Sequence, residues 1–112
     1  MQTFSKTKKA INFDLNDNLL KRYYPSKNYK KGWKDIKRYL ENNNFIHRQY
    51  SGYVSKEAIT MAEVGIIIDE MSYQITWLKK CIIEFDVTIV GNEYSFIQRI
   101  NNTSINKFEN IN

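Results

Sequence analysis

Apolar and polar residues alternate along "AINFDLN" at 10–16, where Ala10, Ile11, Phe13 and Leu15 mark a short strand. Strand geometry puts Phe13 and Leu15 on one face and Asn12 and Asp14 on the other. "NDNLLKRYYPS" then reads as a connection that Pro25 closes, with Ser26 as the N-cap of the next element. Tyr29, Trp33, Ile36 and Leu40 recur at helical spacing, predicting a helix over 26–43 that "ENNN" terminates. "FIHRQYSGYVS" is strand-like, and its Ser51-Gly52 step is either a tight turn between two strands or a bulge in one. A second helix is predicted over 55–76, capped by Ser55, with an apolar stripe of Met61, Val64, Ile68, Met71 and Ile75. "CIIEFDVTIVGNE" alternates Ile83, Phe85, Val87 and Ile89 against polar residues, the strongest strand signal in the chain. "EYSFIQRI" at 93–100 follows a Gly-Asn turn signal and reads as a further edge strand.

Strands alternating with two one-faced helices predict an α+β fold. The expected form is a ferredoxin-like βαββαβ sandwich, an antiparallel sheet with two helices on one face. With 112 residues and 42% hydrophobic content, a single core over 10–100 suffices, leaving 1–9 and 101–112 as flexible ends. No apolar run reaches the length of a membrane span, and the N-terminus lacks an apolar signal region. Cys81 is the one cysteine, which fits a reducing compartment, so a cytoplasmic location is expected.

Charge changes the picture. Residues 1–38 hold eleven of the 17 Lys and Arg and three of the 12 acids, net +8, against −3 for the remainder. Such polarity favours a polyanionic partner such as nucleic acid. Lys27, Lys30, Lys31, Lys34 and Arg38 gather on the helix face opposite the apolar one and are the expected phosphate contacts.

Catalytic candidates are few. A single His, His47, and a single Cys preclude a zinc site of the usual ligand count, and four scattered glycines form no phosphate loop. His47 reads as a surface or interface residue. Asp14 is the open question, because it either caps the backbone of "LNDN" or works from the open side of the sheet.

A resemblance bears on that question. "AINFDLN", "SKNYKKGWKDIKRYLENNNF", "RQYSGYV" and "TWLKKCIIEFDVTIV", in this order over residues 10–97, resemble the virulence-associated protein D (VapD) family. That family comprises toxin ribonucleases related in fold to the nuclease-like subunit of CRISPR adaptation complexes. The resemblance implies a ferredoxin-like homodimer in which the first-strand Asp, here Asp14, cleaves RNA. Ser51 and Tyr53 match its neighbouring strand and are carried over as supporting site residues. Tyr50 stands where the family usually has Gly, Gly52 where it has an apolar residue, and Ile82-Ile83-Glu84 lacks its basic residue.

The expected function is therefore an endoribonuclease for single-stranded RNA, the toxin of a toxin–antitoxin pair. Asp14 acts as general base or holds a divalent cation such as Mg²⁺, and Tyr50 and Tyr53 stack on bases. Residues 93–100 are expected to pair across the dimer and cover an exposed edge. The partners expected are RNA, a second copy of the chain and a cognate antitoxin or other protein; the alternative is a catalytically inactive ferredoxin-like binding protein, a protein inhibitor or nucleic-acid binder of a phage or mobile element.

Overall fold

The structure, a computed structural model, describes residues 5–91 and 94–103. The elements in chain order are β1 (Lys9–Leu15), α1 (Asp17–Tyr23), α2 (Lys31–Asn42), β2 (Phe45–His47), β3 (Gly52–Ser55), α3 (Met61–Gln74), α4 (Leu78–Cys81), β4 (Ile82–Ile89) and α5 (Ile97–Asn101). The four strands form one sheet in the order β2-β3-β1-β4, every pair antiparallel. The α+β class read from the sequence is therefore observed.

β1 occupies the centre, and its alternation divides the sheet into two faces. Ile11, Phe13 and Leu15 are buried while Asn12 and Asp14 are exposed. On the covered face Ile36 and Leu40 of α2 join Met71 of α3 in one core. The Tyr39 hydroxyl donates to the Ile67 carbonyl at 2.7 Å and ties the two long helices together. A row of rings crosses all four strands beneath them. Phe85, Phe13, Tyr53 and His47 lie stacked at centroid separations of 5.9, 6.0 and 4.7 Å, and Trp33 of α2 stacks on Phe13 at 5.5 Å. Aromatic cross-strand pairs are a principal source of sheet stability.

Several elements differ from the expectation. Residues 17–23, read as a connection, form helix α1. Asn16 caps it by accepting from the Leu19 amide at 2.9 Å, Asp17 lies in its first turn, and Lys21 and Arg22 lie in its last. Two turns are too few to display a period, yet the cap and the charges match the helix dipole. Leu20 anchors α1 with no exposed surface, a burial worth about 1.5–3 kcal/mol.

The next helix begins at Lys31 instead of Ser26, whose hydroxyl accepts locally from the Asn28 amide at 3.3 Å. Residues 45–55 form a hairpin, resolving the Ser51-Gly52 ambiguity as a turn. Ser55 is a buried β3 residue and caps nothing. Thr60 starts α3 through a capping box, in which Glu63 N donates to Thr60 Oγ1 at 3.1 Å and Thr60 N donates to Glu63 Oε2 at 2.8 Å.

The stretch expected as an interface strand is a helix over Ile97–Asn101. Its polar Gln98 breaks the alternation, while Phe96, Ile97 and Ile100 recur at helical spacing. Asn92 and Glu93, part of that expectation, lie outside the described residues, as do 1–4 and 104–112 of the expected flexible ends. Within the N-terminal arm, Thr7 bridges Ile59 and Lys9 opens β1 with its side chain buried.

Candidate functional site

Sheet register places the candidate residues. β1 ends where the β2–β3 hairpin turns, where β4 starts and where α1 and α4 meet, so residues distant in sequence converge at this end of the sheet. Asn12 pairs with Gly52 on one side and with Asp86 on the other, and Asp14 pairs with Glu84. Paired side chains share a face. Asn12, Asp14, Glu84 and Asp86 thus form a polar, acidic strip on the uncovered side.

Asp14 is exposed, and one carboxylate oxygen accepts from the Leu15 amide at 2.9 Å. That single contact holds the carboxylate at the end of the strand and leaves it open to solvent. Asp14 thus makes a local bond to the next residue's amide and stands on the open face.

An open cleft of about 330 Å³ runs between β1 and the β2–β3 hairpin, lined by residues that include Asn12, Gln49, Tyr50, Ser51, Gly52 and Tyr53, with Asp14 outside that lining. Gly52 allows a close approach, since a Cβ there would stand 3.2 Å from Asn12 Oδ1 and from the Gln49 carbonyl. Tyr50 projects from the hairpin with 90% of its surface exposed and a left-handed backbone, φ 50°. His47 Nε2 hydrogen-bonds the Tyr50 carbonyl and braces the turn. Ser51 is half-buried in the cleft wall.

Tyr53 lines the same cleft, but its ring turns to the covered face. It pairs with Ile11 in register, is 2% exposed and stacks between Phe13 and His47 on the covered face. Burial, with the Glu41 charge second, pushes its hydroxyl up to about 12, so it stays protonated near neutrality. The structure groups Asp14, Tyr50 and Ser51 at one end of the sheet, and Tyr53 borders the cleft while its ring lies on the covered face.

The basic helix is likewise remote. Lys27, Lys30, Lys31, Lys34 and Arg38 are all exposed, but Lys27 and Lys30 precede α2 and only Lys31, Lys34 and Arg38 lie on it; Trp33 of α2 stacks on the covered face at Phe13, so the sheet separates those three from Asp14. Arg38 is partly neutralised by Asp35 at 3.1 Å. The Tyr24 hydroxyl donates to the other Asp35 oxygen at 2.6 Å.

Sequence reasoning missed Glu84 as a neighbour of Asp14. The available signal was its alternation out of the Phe85 and Val87 face. Among the described residues no three His, Cys, Asp or Glu side chains form a group able to hold a metal ion. Asp14 with Glu84 offers two carboxylates, a set that suits Mg²⁺ when substrate phosphate completes its shell.

No protein-family model matches the chain, and no curated protein matches it. Among the described residues no helix is long and apolar enough to cross a membrane.

Proposed function

We propose that this protein is a VapD-like endoribonuclease that cleaves single-stranded RNA, the toxin of a toxin–antitoxin pair. One observation carries the reading: the "FDL" aspartate is exposed at the end of the central strand, on the sheet face it shares with Glu84, and the hairpin next to that strand bears an open cleft with a projecting tyrosine. The strand order β2-β3-β1-β4, with helical crossovers after β1 and β3, supports the ferredoxin-like form of the α+β fold.

In this reading Asp14 takes the proton from the attacking hydroxyl, and the Leu15 amide keeps its carboxylate aimed along the strand end. Tyr50 stacks on an unpaired base, and Ser51 and Asn12 line the path of the sugar–phosphate. A divalent cation, if bound, is held by Asp14 and Glu84 and supplies charge neutralisation at the phosphate. A homodimer suits the edge position of β4, an eight-residue strand with Ile83 and Ile89 half-exposed.

A second reading, an inactive binding protein, is favoured by the burial of the Tyr53 ring, which keeps it from stacking on a base. One experiment separates the two. Purified protein is incubated with mixed RNA beside its Asp14→Asn variant. Cleavage by the former and none by the latter supports the nuclease. No cleavage by either, with RNA or a protein retained, supports the binder.

A further inference from the structure

The short helices α1 and α4 pack together at the sheet end that bears Asp14. Asn16 N donates to the Cys81 carbonyl at 2.8 Å, and Leu15 pairs with Ile82. Each helix therefore starts or stops within a few residues of the Asp14–Glu84 pair. Their outward surface carries Lys21, Arg22, Lys79 and Lys80, all exposed. The one acid on either helix, Asp17, sits in the first turn of α1, and no ion pair joins any of the four cations to a described carboxylate.

Tyr23 organises this charge. Its ring receives Arg22 at 5.3 Å and Lys80 at 4.7 Å, which holds a cation of each helix over one aromatic ring. An open cleft of about 320 Å³ runs alongside, with Tyr23, Trp77, Lys79 and Lys80 in its walls. Like charges held this close repel one another, and a polyanion relieves that repulsion.

We infer that the α1–α4 surface is a phosphate-binding platform for single-stranded RNA, guiding the strand to Asp14. The inference rests on the endoribonuclease reading and names the residues that bind its substrate. Its advantage over the basic ridge of α2 is position. Asp17, the first residue of α1, lies three positions after Asp14, and Cys81, the last of α4, lies three before Glu84, whereas α2 starts only at Lys31.

The test uses full-length Asp14→Asn protein, so that bound RNA is not cut, and a fluorescent single-stranded oligoribonucleotide read by anisotropy across a salt series. Adding Lys79→Gln and Lys80→Gln together should weaken binding about tenfold at low salt and flatten the log–log salt slope by about 1.4, two phosphate contacts' worth. Lys31→Gln with Lys34→Gln should change the slope less. All four lysines are exposed, so each variant should fold, with a melting temperature lowered only slightly where Lys80 leaves the Tyr23 ring, and a melt confirms this.

An unchanged slope in the Lys79/Lys80 variant overturns the platform, as does the absence of RNA binding by the parent. Polyglutamate competing as well as unlabelled RNA overturns it in favour of an acidic protein partner. Lys79- and Lys80-dependent binding by a wild-type protein that never cleaves RNA upholds the platform and discards the nuclease.

Discussion

Asp14 stands directly opposite Glu84 in the β1–β4 ladder, immediately before the irregularity that leaves Ile83 without a partner. Like charges in that relationship destabilise an antiparallel pair by up to about 1 kcal/mol. Asp14→Asn removes the repulsion and keeps an oxygen to accept from the Leu15 amide. The expected outcome is unchanged or slightly raised stability together with abolished RNA cleavage, read by denaturant melts beside the nuclease assay. A loss exceeding about 1 kcal/mol would make Asp14 a structural residue first.

Tyr50 adopts φ 50°, a backbone conformation in which a Cβ costs roughly 1–2 kcal/mol. Its ring is exposed and stabilises little. Tyr50→Gly should therefore raise the melting temperature while weakening binding to single-stranded RNA. If both fall together, the ring contributes to the fold. If affinity holds, it does not stack on bases.

Gly32 lies where α2 presses on its neighbours. A Cβ there would stand 3.0 Å from Leu20 Cδ1 and 3.0 Å from Trp77 Cη2, both side chains buried. Helix propensity favours Ala by about 1 kcal/mol, but overpacking against immobile side chains typically costs about 1–3 kcal/mol. Gly32→Ala is expected to be net destabilising. Urea titration settles the sign, and a gain in stability would show that Leu20 and Trp77 can give way.

Alkaline pH should loosen the fold through its tyrosines. Burial first, and the Glu41 charge second, raise Tyr53 from 10.0 to about 12; Tyr24 rises to about 12 through burial and then its bond to Asp35. The folded protein holds these protons more tightly than the unfolded chain. Their stabilisation is complete below pH 10 and is lost as pH climbs through 12. Tyr53→Phe keeps the stacked ring, and its stability should fall less steeply over that interval. An identical slope would remove Tyr53 as a source of the effect.

Much of this was legible in the residues. Alternation placed β1 and put Asp14 outside the Phe13 face, because a half-covered sheet imposes a period of two on its central strand. The apolar face of α2 and the stripe of α3 were legible for the same kind of reason. Helix α1 was not, since seven residues hold too few turns for periodicity, and its evidence lay in the Asn16 cap. The parity of Tyr53, fixed by pairing with Ile11, sends its ring into the core although the residue borders the cleft. Register between strands is a tertiary fact, and no window along one strand contains it. For the same reason Glu84 beside Asp14, and Lys80 over Tyr23, emerged only when separate segments met.

The buried ammonium of Lys9 donates to the Thr7 carbonyl at 3.1 Å, to Thr7 Oγ1 at 2.6 Å and to the Ile59 carbonyl at 2.7 Å. All three acceptors are neutral, so dissolved ions find no opposing charge here to shield, and the surrounding protein keeps them out. The exposed lysines have no such shelter. Ionic strength therefore becomes a selective tool: a molar salt wash can strip copurifying nucleic acid from the surface while this internal latch, and the start of β1 with it, stays closed.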